Sequence, residues 1–178
     1  AGVPEAMPAD WEAVNLPHSW NAVDGQDGGG DYFRGTAYYV KEILASDLPE
    51  ADQYYIELRG ANSSADLYVN GEKKMHHDGG YSTWRCDITG EIKKGEKTLI
   101  AVAVDNSPNN TVYPQVADFT FYGGIYRDVN IICVNESHFD LDYFGGCGLM
   151  VTPTVEGEKA TVALESWITN GKDGQIIR

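Results

Sequence analysis

Along most of this chain apolar residues alternate with polar ones, and nowhere do they recur at the three-and-four spacing of a long amphipathic helix, so the pattern predicts strands. Residues 32–43 and 53–59 read as consecutive strands separated by the turn at Ser46-Asp47-Leu48-Pro49. In the second of them Tyr54, Ile56 and Leu58 are assigned to the core, and Tyr55, Glu57 and Arg59, which point the other way, to water. Ala65, Leu67 and Val69 then alternate into Asn70-Gly71, the dipeptide suited to a two-residue hairpin whose central positions both need positive φ. The return arm, with Lys73, Lys74, His76 and His77, reads as solvated. Residues 81–88 form a further strand, 89–92 one short helical turn, and 98–104 are apolar on both faces, as the central strand of a sandwich would be.

Beyond the pivot Gly123-Gly124, Ile125, Arg127, Val129, Ile131 and Cys133 share one face of a strand and Tyr126, Asp128, Asn130, Ile132 and Val134 the other. From Asn135 the character shifts. Asp140, Asp142, Tyr143 and Gly145-Gly146 read as a linker, followed by strands at 149–155 and 159–168 joined by the turn at Glu156-Gly157. Two strands cannot enclose a core. Residues 1–136 are therefore read as one antiparallel β-sandwich, and 137–178 as a linker and a strand pair too small for a core of its own. These leftover strands are expected to pair with the first sandwich, to form a homo-oligomer with another copy, or to fray.

Composition narrows the partners. Lys and Arg total 13 against 27 Asp and Glu, a net charge of -14, which argues against nucleic acid and against an anionic membrane. A neutral ligand such as a sugar is compatible with that acidity, and solubility accounts for most of it. Cys86, Cys133 and Cys147 form no close pair, so reduced thiols are expected, and the compartment is read as cytoplasmic in preference to periplasmic. The sequence shows neither a membrane-length apolar run nor the blocks of a signal peptide.

Candidate chemistry lies in two loops. Asp24 to Asp31 (DGQDGGGD) carries carboxylates, but Gln26 and Gly28 stand where a calcium loop needs alternate oxygen ligands, so it reads as a glycine-rich loop at the edge of a site, with Asp31 a candidate to touch ligand. Ser107 to Phe121 places Tyr113, Phe119 and Phe121 beside the acid Asp118. Exposed aromatics beside carboxylates suit a sugar, whose C–H face stacks on rings while its hydroxyls bond to oxygens, and they equally suit a plug at the end of a sandwich. His18, set among Trp11, Leu16 and Trp20, reads as a packed structural histidine rather than a general acid. His76-His77-Asp78 is not read as a metal site, because neighbours on a strand point to opposite faces. No metal and no cofactor is implied.

Four ordered stretches carry a resemblance: LPHSWNAVDGQDGGGDYFRG (16–35), LYVNGEKKMHHDGGY (67–81), LIAVAVDN (99–106) and ADFTFYGGIYRDV (117–129). Together they resemble the N-terminal jelly-roll domain, or sugar-binding domain, of family 2 glycoside hydrolases, and are most like bacterial beta-galactosidases. The resemblance implies an all-β jelly roll over residues 1–136 followed, in 137–178, by a linker and the truncated start of an immunoglobulin-like sandwich. Both catalytic glutamates would sit on a later (β/α)₈ barrel, so this chain is expected to hold no catalytic residue and to be inactive alone. Its implied role is to wall the active site and position the non-reducing sugar, which it shares with the barrel. Asp118 stands six residues before Gly124, the spacing of the family's sugar-contacting acid, and by resemblance accepts hydrogen bonds from sugar hydroxyls. Beta-glucuronidases share that spacing; GGIYRDV and DFTFY favour the galactosidase type. Arg127 and Asp128 are expected to be a structural pair, and Ser19, which departs from the Asp common after Pro-His, is given no ligand role. The alternatives are a stand-alone carbohydrate-binding module and a structural or oligomerisation domain.

Overall fold

The computed structural model describes residues 2–24, 33–113 and 120–176. The strands follow in the order β1 (Thr36–Leu44), β2 (Gln53–Leu58), β3 (Ser64–Val69), β4 (Glu72–Asp78), β5 (Trp84–Asp87), β6 (Lys97–Asp105), β7 (Val129–Val134), β8 (His138–Phe139), β9 (Leu149–Glu156), β10 (Lys159–Ser166) and β11 (Ile168–Thr169). One sheet has the order β1-β6-β3-β4 and a second the order β5-β2-β7, with every pairing antiparallel. The all-β sandwich expected from the alternation, and the antiparallel jelly roll that the resemblance implies, are what the chain forms.

Its core is the sum of the inward positions. Ala65, Leu67 and Val69 of β3 and Ile100, Val102 and Val104 of β6 meet Ile56 and Leu58 of β2, Trp84 of β5, Ile88 and Ile125 across the layer. Leu58, Leu67, Val69 and Val104 are fully buried. Strand β6, apolar on both faces, lies between β1 and β3, in the interior position its composition demands. Asn70 and Gly71 take φ of 52° and 82° between β3 and β4, the tight hairpin expected of that dipeptide. The helical turn at Thr89–Glu91 is also present.

Several expectations change. The outward face of β2 is not wet: Tyr55 and Glu57 are buried. The segment after β7 folds back over them. The His138 ring packs edge-on against Tyr55 at 6.0 Å, and Arg85 Nη1 donates to the carbonyls of Leu141 (2.7 Å) and Gly146 (2.6 Å). The linker is thus a cover for the second sheet. Glu57 then needs partners, since a buried carboxylate without them would not stay ionised. It has Arg85 at 2.6 Å, Arg59 at 2.9 Å and Asn130 at 3.1 Å. Burial opposes its charge, but these hydrogen bonds and the Arg85 cation prevail and hold its carboxyl below the usual range.

Strand β7 begins at Val129, not at residue 125. The backbone just before it bonds to loops instead of a ladder: Asn62 N donates to Gly124 O (3.1 Å) and Arg59 N to Asp128 O (3.1 Å), while the Tyr126 hydroxyl donates to Gly80 O. Arg127 and Asp128 do not pair with each other. Arg127 donates to Tyr81 O at 2.9 Å, and Asp128 faces Arg59 at 3.7 Å. Strand β5 likewise starts at Trp84 rather than at residue 81, because Tyr81 and Ser82 serve as partners for Arg127 and His77.

The expected strand 159–168 is broken. After Ser166 the chain turns at Trp167, whose indole stacks on Tyr143 at 4.2 Å, and β11 pairs with β8. Strands β9 and β10 pair only with each other among the described residues.

Candidate functional site

The described flanks of both candidate loops leave one end of the sandwich, and two fully buried amides tie those flanks together. Asn106, at the exit of β6, shares its Nδ2 among Asn21 Oδ1 (3.1 Å), Phe121 O (3.1 Å) and Phe33 O (3.4 Å). Its Oδ1 accepts from Gly35 N (2.9 Å), and its backbone oxygen from Arg34 Nε (2.7 Å). Asn21 donates from Nδ2 to Asp24 (2.5 Å) and to Phe33 O (2.8 Å), and its Oδ1 accepts from Gly123 N (2.7 Å). One amide pair therefore fixes residues on either side of 25–32 and, in the same network, residues on either side of 114–119. Buried backbone groups that leave a sheet must find partners somewhere, and a side-chain amide offers both donor and acceptor in one compact group.

Packing around this clamp leaves little tolerance. A Cβ at Gly123 would run into the Trp20 indole. Gly124 has φ of 129°, and a Cβ there would come within 2.5 Å of His18 O, so the pivot needs glycine on both counts. His18 is held by its backbone N to Ile125 O (2.7 Å) and by its ring Nδ1 to the Tyr39 hydroxyl (2.8 Å), the structural role its setting suggested. Ser19 Oγ donates to Gly123 O at 2.8 Å and accepts from Asn21 N at 3.2 Å, bracing the pivot.

Of the residues singled out in the sequence, Asp118, Phe119 and Asp31 lie outside the described residues. Tyr113 is described and is 94% exposed, so its ring is available to a partner. Phe121, from the same loop, does the opposite: it is buried, with the Arg34 guanidinium 5.8 Å from its ring centre. The two described aromatics of this loop thus divide, Phe121 plugging the sandwich end and Tyr113 facing outward. Asn21 and Asn106 were not anticipated as site residues; the one available signal was that Asp105-Asn106 follows an apolar strand at once.

One acidic group, at the end of β6, adjoins the clamp. Asp105 bonds to the Thr36 hydroxyl and accepts from Ser107 N at 2.6 Å. Burial opposes ionisation of its carboxyl, but these bonds and the Arg34 charge outweigh it and hold the group below the usual carboxylate range. Among the described residues no group of His, Cys, Asp or Glu is arranged to hold a metal ion. Cys86, Cys133 and Cys147 are free thiols.

Residues 28–134 match the family model described as glycosyl hydrolases family 2, sugar binding domain. The chain belongs to that family. It is 35% identical, over 90% of its own length and 23% of the relative's, to a beta-glucuronidase of Bacteroides fragilis. A beta-galactosidase of Thermoanaerobacter pseudethanolicus is 30% identical over 92% of this chain and 22% of the relative. Among solved structures, an FMN-binding beta-glucuronidase from Facaelibacterium prausnitzii L2-6 superposes with a TM-score of 0.85 at 42% identity, covering 96% of this chain and 27% of that one. The family 2 chain described here thus spans about a quarter of the length of these relatives. Both glycosidase types are represented, and the two glucuronidases named share more identity with it than the galactosidase does.

Proposed function

We propose that this chain is the sugar-binding domain of a family 2 glycosidase that acts on terminal β-glucuronides, that it walls one side of the active site, and that Asp118 accepts hydrogen bonds from hydroxyls of the non-reducing sugar. Tyr113 and Asp31 lie beside that sugar, and the catalytic carboxylates belong to polypeptide outside this chain. The observation that carries this reading is the Asn21–Asn106 clamp, which ties the flanks of the loops bearing Asp31 and Asp118 to one end of a rigid sandwich. A contact residue needs such support, because a loop free to wander loses the gain of the contact to ordering entropy. Glucuronides are preferred over galactosides on the identities of the relatives named above. The galactoside reading stands second, supported by the 30% identical beta-galactosidase and by the GGIYRDV motif.

The same proposal covers the C-terminal residues. Residues 137–178 form a cover for the second sheet and then the opening strands of a following sandwich, whose remaining strands come from elsewhere in the parent polypeptide.

The test is Asp118→Asn in the full-length parent. A hydrogen bond to a charged acceptor is worth about 1.5–3 kcal/mol, so kcat/KM on a 4-nitrophenyl glucuronide should fall by roughly 10- to 150-fold. Unchanged kinetics with an altered oligomer size would replace this reading with an assembly domain. Millimolar or tighter binding of glucuronate or galactose to the chain by itself, measured by calorimetry, would replace it with a stand-alone module.

A further inference from the structure

On the outer face of the four-stranded sheet, His76 of β4 stands between two carboxylates. Its Nδ1 is 2.5 Å from Asp66 Oδ1 on β3, and its Nε2 is 3.2 Å from Asp78 Oδ1 on its own strand. A neutral imidazole has one N–H, so only the imidazolium can donate in both directions; without the extra proton one ring nitrogen would turn a lone pair toward a carboxylate. The charged groups nearest to it on this face are Lys73 of β4, 2.8 Å from Asp66, and Asp105 of β6, which lines the same groove of about 430 Å³ and feels the Arg34 charge; farther along the face Glu42 of β1 and Lys97 of β6 pair with each other at 2.6 Å. The Tyr68 hydroxyl of β3 also reaches Asp66, at 3.5 Å. From β1 the groove receives Thr36, and from the segment after β6 it receives Ser107, Pro108, Asn109 and Thr111, none of them charged.

Asp78 is also the anchor of that segment. The same Oδ1 that faces His76 accepts from Ser64 Oγ at 2.7 Å, and Ser64 Oγ accepts from Asn109 Nδ2 at 3.3 Å. Asn109 Oδ1 in turn takes the amides of Thr111 (3.0 Å) and Val112 (2.8 Å), and the Thr111 side chain bonds to Asp78 as well. A continuous relay therefore runs from the imidazole, through one carboxylate oxygen, to the backbone that leads into Tyr113.

We propose that His76 is a proton-operated latch: as imidazolium it fixes Asp78 and so docks residues 109–112 on the sheet, and loss of its proton releases them. The inference does not rest on the glycosidase reading. Its sign follows from the surroundings. The hydrogen bond to Asp66 chiefly, against burial and with help from Asp78, raises the His76 pKa above the ordinary value. Docking is then complete below the ordinary histidine pKa of about 6.5 and is lost as pH rises through the raised folded-state value. His77, on the opposite face and stacked on Trp84 at 5.3 Å, is pushed the other way, chiefly by burial with a smaller push from the His76 charge, and so titrates at lower pH than His76.

The experiment is an NMR titration of this chain from about pH 5 to about pH 9, following the imidazole of His76 and the amides of Asn109, Thr111 and Val112. The amides should titrate with the midpoint of His76, above about 6.5, and His76→Gln should flatten them. In Asp78→Asn, which keeps the shape at Ser64 but removes the charge, the His76 midpoint should fall and the amides should no longer follow it. In Asp66→Asn the midpoint should fall while the amides still follow it. The proposal is overturned if His76 titrates and the amides do not move, if they still titrate in His76→Gln, or if the His76 midpoint lies at or below the ordinary value.

Discussion

Strands β3 and β10 are written in the same alternation but have different fates. In β3, Ala65, Leu67 and Val69 are buried under a second sheet. In the β9–β10 hairpin the register puts Leu149, Val151, Pro153 and Val155 opposite Ser166, Leu164, Val162 and Ala160, which gives one almost wholly apolar face. Every residue of both strands is exposed. The difference teaches that alternation encodes only a willingness to be buried. The stabilisation comes from a second layer, which β3 has within this chain and β10 does not. An uncovered face of this kind is the physical ground for proposing that further strands of the parent complete it.

The comparison can be broken by paired substitutions whose effects should differ between the two regions. The largest contrast is expected at charged positions. Glu57→Ala leaves Arg85 with a buried, unpaired charge and should lower unfolding stability by about 3–5 kcal/mol in a denaturant titration, whereas Glu165→Ala on the hairpin should stay within about 0.5 kcal/mol. Next comes the apolar pair. Leu67→Ala should cost about 2–5 kcal/mol, while Leu164→Ala should again change the same measurement by no more than about 0.5 kcal/mol. Equal losses at the two leucines would mean that the hairpin face is covered in solution, and sedimentation would show whether a second copy does it. The smallest effect concerns the clamp. Asn106→Ala removes one partner from several buried backbone groups and should cost about 1–3 kcal/mol, with faster amide exchange at Gly35 and Gly123 than at β3.

Much of the fold was legible because its signals are local. The Asn70-Gly71 hairpin needs only two residues able to take positive φ, and the placement of β6 needs only a run apolar on both faces. The candidate site was less legible: of the two described aromatics after β6, Tyr113 is exposed and Phe121 went to the core, and nothing in their shared composition separates them. Glu57 shows the limit most plainly. A glutamate at an alternate position of a strand reads as solvent-facing, and it becomes a buried ion-pair residue only because a segment some eighty residues later closes over it. The Asn21–Asn106 clamp has the same character: either asparagine alone is an ordinary loop residue, and their roles exist only when residues far apart in the chain are brought to one end of the sandwich.

By itself, then, the sequence determined where most strands could form, which face of each was apolar and where the tight turn lay. Those choices depend on backbone sterics and on a period of two, both of which act between near neighbours. Tertiary structure alone decided which polar groups were worth burying, which apolar faces found a layer to bury them, and which two carboxylates became the partners of His76. Each of those outcomes is a balance of desolvation against a specific partner, and the partner's position is set by the packing of the whole sandwich.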